Sequence, residues 1–214
     1  MPTPRERARE STRAQARKIA DRQLADGGIE ALSLKAIAAE LGLTGPAIYR
    51  YFANRNELLT ELITGAYDDL AAALDAAAQA AEQAGRPGES QVRAVAGAFR
   101  DWGRAQPHLF RLLYAAPVPG YDANAGPLAS AAGRSLDIFL RALDRATQGR
   151  PVRPPLDPSL AAQLPGDPDV TYRGITGWSR LYGLVALEIE GAFSSMGIDA
   201  GALYQREIEA LIAL

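Results

Sequence analysis

The chain has 214 residues, 48% of them apolar and 22% charged, with a formal net charge of −2. A chain of this size buries roughly 70% of the surface it exposes when unfolded, so it can hold a core without covalent staples. There is no cysteine and a single histidine, His108; this excludes disulfides, thiolate chemistry and Cys/His zinc sites, and neither a metal nor a cofactor is expected.

Charge is unevenly spread. Residues 1–60 carry ten Lys/Arg against seven Asp/Glu, whereas 61–214 carry thirteen against eighteen. The first 22 residues hold seven basic side chains (Arg5, Arg7, Arg9, Arg13, Arg17, Lys18, Arg22) and three acidic ones, a modest basic arm that suits nucleic acid or simple solvation. No apolar leader precedes it and no later stretch runs eighteen residues without a charge or breaker, so the expectation is a cytoplasmic protein without a membrane partner.

Helical periodicity dominates and the class expected is all-α. Ala16, Ile19, Ala20 and Leu24 form the stripe of a first helix, stopped at Asp26-Gly27-Gly28. Ser33 caps a short second helix carrying Leu34, Ile37, Ala38 and Leu41, ended by Gly42. Thr44 caps a third, with Pro46 in its first turn and Ile48 and Phe52 inward. Asn54 and Glu57 form a capping-box-like pair that opens a fourth, continuing through Leu58, Leu62, Ile63, Tyr67, Leu70 and Leu74 to a break at residues 85–88. Further helices are expected at about 90–105, 107–115, 127–148, 170–196 and 201–214. Between them lie two breaker-rich segments, 116–127 and 149–169; the six prolines of the latter argue against a helix and for a surface-wrapping or mobile segment.

Two short helices joined by Gly42-Leu43-Thr44 have the size of a helix-turn-helix over about residues 33–52, whose second helix enters the major groove. Its leading end is small (Gly45, Pro46, Ala47), so the backbone can approach base edges, and the positive end of its dipole faces the phosphates. Tyr49, Arg50 and Tyr51 follow, able to bond phosphates or base edges; Tyr49 suits either a core or a contact position. The run Leu41-Gly42-Leu43-Thr44-Gly45-Pro46-Ala47-Ile48-Tyr49-Arg50-Tyr51-Phe52, followed by Asn54-Arg55-Asn56-Glu57-Leu58-Leu59, resembles the TetR family of transcriptional regulators over about residues 12–60. Arg55 stands where that family usually has lysine. The resemblance implies an N-terminal three-helix DNA-binding domain (1–60) joined to a C-terminal helical bundle (61–214) that binds ligand and dimerises. It also implies a homodimer, commonly a repressor, that reads a palindromic double-stranded operator and is released by a small-molecule effector. Thr44, Gly45, Pro46, Tyr49, Arg50, Tyr51 and Arg55 are the expected DNA contacts, with Arg50 and Arg55 on phosphates.

The C-terminal half gathers aromatics. Phe99, Trp102, Phe110, Tyr114, Trp178 and Tyr182 are the candidate effector-binding residues, each also readable as ordinary bundle core. Trp178, Tyr182, Val185 and Ile189 share one helical face, and Gly177, Leu181, Leu184, Glu188 and Gly191 an adjacent one whose small residues suit close helix approach and a dimer interface. The segment from Trp178 to Gly191 resembles the Trp-His-Gly type of C-terminal domain, with Tyr182 in place of its histidine. No catalytic constellation is found: Glu188 and Glu190 face different ways, and His108 reads as a surface or satisfied polar residue. The competing class is an α-helical metabolite-binding protein, or an adaptor whose helix-turn-helix lacks DNA affinity.

Overall fold

The computed structural model describes residues 3–85, 88–114 and 127–213. Every regular element among them is helical: α1 (Pro4–Gly27), α2 (Leu34–Glu40), α3 (Gly45–Ile48), α4 (Arg55–Gln83), α5 (Glu89–Ala105), α6 (Pro107–Tyr114), α7 (Pro127–Thr147), α8 (Pro158–Ala161), α9 (Pro168–Ile189), α10 (Ala192–Ser195) and α11 (Ala200–Ala213), with a single 3-10 turn at Ile29–Ala31. No helix among them is long and apolar enough to cross a membrane.

The described residues fall into two compact units, one within Met1–Tyr67 and Pro107–Ala129 and the other within Asp68–Gln106 and Ser130–Leu214. In the first, α1 packs on α2 and α6, and α2 on α3. Its core is the expected stripe of α1 (Ala16, Ile19, Ala20, Leu24) with Ile37, Ala38, Ile48, Phe52, Leu58 and Leu59, all buried. Full burial of a Leu, Ile or Phe side chain contributes roughly 1.5–3 kcal/mol, so these few positions carry most of the unit's cohesion. In the second unit α9 packs on α5, α10 and α11, and α11 on α5. Close approach there depends on glycine: a Cβ at Gly177 would sit 2.6 Å from Leu211 Cδ1.

Two expectations are corrected and one gains detail. The basic leader is itself helical: α1 begins at Pro4, where Thr3 and Glu6 form a reciprocal capping box. The helix expected over 170–196 stops at Ile189; Gly191 takes a left-handed backbone (φ 74°) before the one-turn α10. Within 149–169 a single helical turn, α8, does form, since Asp157 caps it and Pro158 occupies its first position, where the missing N–H costs nothing. The other C-terminal helices lie within two residues of expectation; the segment 116–126 and residues 86–87 lie outside the described residues.

Candidate nucleic-acid interface

The helix-turn-helix is assembled from local signals. Ser33 Oγ accepts the Ala36 N–H at 3.3 Å, and the Ser33 N–H donates to Gln23 Oε1 of α1 at 2.9 Å, tying the start of α2 to α1. At its end Gly42 adopts φ 68°, a conformation costly for any residue with a Cβ, and the Leu43 N–H returns to the Ala38 carbonyl at 2.8 Å. Thr44 stands at the N-cap of α3 but makes no side-chain capping bond. The α-helical part of α3 is one turn, after which hydrogen-bonded turns carry the chain to Tyr51.

This geometry sorts the recognition residues cleanly. Ile48 and Phe52 are fully buried, as expected, and form the underside. Thr44, Gly45, Pro46, Tyr49 and Arg50 are exposed, and Tyr51 is half-buried. Tyr49 stands out at 57% exposure, a large ring held in water one residue after a fully buried one. Arg55, at the first position of α4, is half-buried; it donates from Nε to the Leu32 carbonyl at 3.1 Å and from Nη2 to the Ile29 carbonyl. Its guanidinium is thereby fixed against the turn that precedes α2. Asn54 Oδ1 caps α4 by accepting the Glu57 N–H at 2.9 Å, while Glu57 Oε2 reaches back to the Ala53 N–H at 2.6 Å.

Sequence reading missed what holds the end of the recognition segment. Arg13 of α1 donates from Nη1 to the Tyr51 carbonyl at 2.5 Å, lies 4.8 Å from the centre of the Phe52 ring, and pairs with Glu57 at 3.2 Å and with Glu61. Arg17 adds bonds to Glu61 at 3.0 Å and Glu10 at 2.8 Å. The guanidinium of Arg17 holds the Glu10 carboxyl below the ordinary carboxylate range. Arg9 donates to the Arg50 carbonyl at 3.3 Å, and Arg22 pairs with Glu40. Much of the leader's positive charge is therefore spent inside the unit. Lys35, exposed on α2, is a further cation that sequence reading did not single out. His108 is engaged, its Nε2 lying 2.9 Å from Asp21 Oδ1.

The candidate effector residues fall in both units. Phe110 and Tyr114 belong to the first, with ring centres 5.0 Å apart and Tyr114 edge-on to Tyr67 at 6.5 Å. In the second, Trp178 lies 4.5 Å from Phe99 and 5.5 Å from Phe139, giving three rings contributed by α9, α5 and α7. Trp102 is buried one turn beyond Phe99, and Tyr182 is half-buried one turn beyond Trp178. The small face expected to meet a partner is largely consumed inside the chain: Gly177 abuts Leu211, Leu181 is buried, and Glu188 takes two hydrogen bonds from Arg100, at 2.7 and 2.6 Å. Gly191 is required for its backbone angle and has nothing within 4 Å of a built Cβ.

A buried hydrophobic underside, a glycine turn, a small exposed leading end and a fixed cation make a DNA-reading helix-turn-helix. Comparison with known proteins agrees. Residues 18–62 match the family model for bacterial regulatory proteins of the tetR family, and residues 92–211 match the model for the tetracyclin repressor-like C-terminal domain. The HTH-type transcriptional regulator Rv1816 of Mycobacterium tuberculosis is 33% identical over 222 residues, covering 97% of this chain and 93% of that protein. Among solved structures, SCO4313 superposes with a TM-score of 0.81 at 34% identity, covering 99% of this chain and all of its own. BioQ, crystallised with its double-stranded DNA operator, shares the fold at a TM-score of 0.51 and 21% identity, over 96% of this chain and 98% of its own. The chain belongs to the TetR family of DNA-binding transcriptional regulators.

Proposed function

We propose that the chain is a homodimeric repressor that reads a palindromic operator in the cytoplasm and is released from it by a small apolar or aromatic effector. The division of labour falls at about residue 60, with the reader before it and the sensor and dimer surface after it. The observation that carries the reading is the Ile48-Tyr49-Arg50 triplet: one residue anchors the helix with no exposure while the next two stand in water. Thr44, Gly45, Pro46 and Tyr49 meet base edges, and Arg50 and Tyr51 meet the backbone. Arg55 holds a phosphate from a guanidinium already oriented by two carbonyls, which lowers the entropy lost on contact.

One such short surface reads too few bases for useful specificity, so two copies are needed, about one helical turn apart on the DNA. The face of α9 left for a partner is Thr176, Ser179, Gly183 and Ala186, flanked by the exposed Ile175 and Leu187, with Leu203 of α11 exposed as well. The Thr176 and Ser179 hydroxyls donate to the Tyr172 and Ile175 carbonyls of their own helix, so this face asks no polar partner of its neighbour. The second unit is read as the Trp-His-Gly type with Tyr182 in the histidine position, and Phe99, Trp102, Trp178 and Tyr182, with Phe110 and Tyr114 of α6, as the effector-responsive residues. Recovery of genomic fragments bound by the protein, followed by footprinting, tests the reading. Two protected half-sites related by a dyad are expected; a single protected patch, or no enriched sequence, contradicts it.

A further inference from the structure

Two polar groups in the core of the second unit have no hydrogen-bond partner among the described residues: the Trp102 indole Nε1–H, on a residue 8% exposed, and the Ser135 hydroxyl, on a residue 1% exposed. Buried donors are nearly always paired, because stripping one of water without replacement is costly, so two in one small bundle call for an explanation.

Their places are related. A Cβ at Gly88, which opens α5, would lie 3.4 Å from the Arg145 carbonyl near the end of α7, so α5 and α7 run antiparallel. Arg173, near the start of α9, donates to the Arg150 and Pro151 carbonyls just past the end of α7, so α9 is antiparallel to α7 as well. The three helices meet at the rings of Phe99, Phe139 and Trp178. Trp102 lies three residues after Phe99 and Ser135 four before Phe139. On antiparallel helices both steps lead the same way along the bundle, by roughly 4.5–6 Å. The same step along α9 leads from Trp178 to the buried Leu181 and half-buried Tyr182. The two unpaired groups thus lie on the same side of the three aromatic rings, toward one end of the bundle.

We propose that Trp102 and Ser135 are the polar end of the effector site, and that the effector is a neutral molecule whose aromatic or alicyclic body bears a carbonyl-type hydrogen-bond acceptor. This rests on the reading of the second unit as the sensor. Neutrality follows from the donors. An indole N–H and a hydroxyl bring no positive charge, and the arginines beside this stretch on all three helices are already paired: Arg100 and Arg104 of α5 with Glu188 at 2.6 and 3.2 Å, Arg134 of α7 with Asp68, and Arg180 of α9 with Glu207 at 2.5 Å. A buried carboxylate or phosphate would find no compensating cation there.

Two probes of nearly the same shape test it on the full-length protein: acetophenone, which carries the acceptor, and isopropylbenzene, which does not. The chain has two tryptophans, so its two indole N–H resonances are assigned with Trp102→Phe. Acetophenone should shift the Trp102 resonance and bind about fivefold more tightly than isopropylbenzene, and Ser135→Ala should erase much of that preference. Without probe, Ser135→Ala should raise the melting temperature by about 2–4 °C, because it removes an unpaired hydroxyl. Equal binding of both probes would keep the apolar sensor and overturn the acceptor assignment. No shift of either indole resonance would overturn the site itself. A Ser135→Ala variant less stable than the parent, or a Trp102 N–H in contact with bound water that acetophenone does not displace, would overturn it too.

Discussion

Arg13 joins α1 to the carbonyl of a residue 38 positions away and to a carboxylate 44 positions away, whereas Trp178 is held in the second unit by the tilted rings of Phe99 and Phe139. Around its apolar core the first unit ties the recognition segment to α1 with charged side chains, whereas the second, though it too carries surface ion pairs such as Arg100–Glu188 and Arg93–Glu209, is closed inside by rings and by glycines such as Gly177. The difference suits the two tasks proposed for the units. A reading head must hold one rigid angle while remaining polar enough to meet DNA, and charge clamps do this without adding exposed apolar area. A sensor must be deformable around a ligand, and packed aromatic rings can repack. Breaking the first should therefore alter DNA binding more than stability, and breaking the second the reverse.

The largest effect is expected in the second unit. Phe99→Ala should cost about 3–5 kcal/mol, as removal of a fully buried aromatic does, visible as a lower urea midpoint. Next comes Arg13→Met in the first unit. The substitution removes the bond to the Tyr51 carbonyl and leaves Glu57 without its arginine, at about 1–2 kcal/mol after allowance for partial exposure. Its effect on DNA affinity should exceed that figure. Equal losses of stability and affinity would show that Arg13 merely supports folding.

The proposed dimer face is a third place to perturb. Gly183 has no heavy atom within 4 Å of a built Cβ in its own chain, so Gly183→Arg should leave the subunit folded yet give monomer by light scattering, with much weakened operator binding. An unchanged dimer would move the interface off α9. Gly191→Arg is a poorer test, because it strains a left-handed backbone whatever the partner does.

Arg55 sharpens the picture further. Arg55→Ala should weaken all DNA sequences alike and lower the slope of log affinity against log salt by about two for a symmetric dimer, whereas Arg55→Lys should retain the slope and lose affinity, since lysine cannot span both carbonyls. The smallest effects concern acid. Arg17 holds Glu10, and Arg93 holds Glu209, below the ordinary carboxylate range. Each such carboxylate adds stability above that range, and the contribution is lost as pH falls through its lowered folded value. Glu10→Gln and Glu209→Gln should therefore each lower the melting temperature slightly at neutral pH and converge on the parent in acid, which flattens the decline below about pH 4.5.

What was legible in the sequence was local. Ser33, Asn54 and Gly42 announce helix starts and a stop because each acts within four residues, and the periodicity of Ile37, Ile48 and Phe52 states which way they face. The Arg13 clamp had no such signal: its partners lie across two turns of fold, and in one dimension it reads as part of a basic leader. Glycine was ambiguous for another reason. Gly177, Gly183 and Gly191 look alike in sequence, yet one admits a leucine of α11, one lies open on the outer face and one supplies a left-handed angle. The same ambiguity lengthened the expected 170–196 helix, which continues as a pattern after the backbone has turned.

The most direct test of the central claim is selection from a random pool of duplex DNA, carried out side by side with the parent protein and with Tyr49→Ala. Tyr49 is exposed, so its loss should change stability by less than about 0.5 kcal/mol. The parent should enrich an inverted repeat, and Tyr49→Ala, of equal stability and oligomeric state, a different or degenerate one. Enrichment of the same repeat with the same ranking of its variants would contradict the assignment of this helix as the element that reads the DNA.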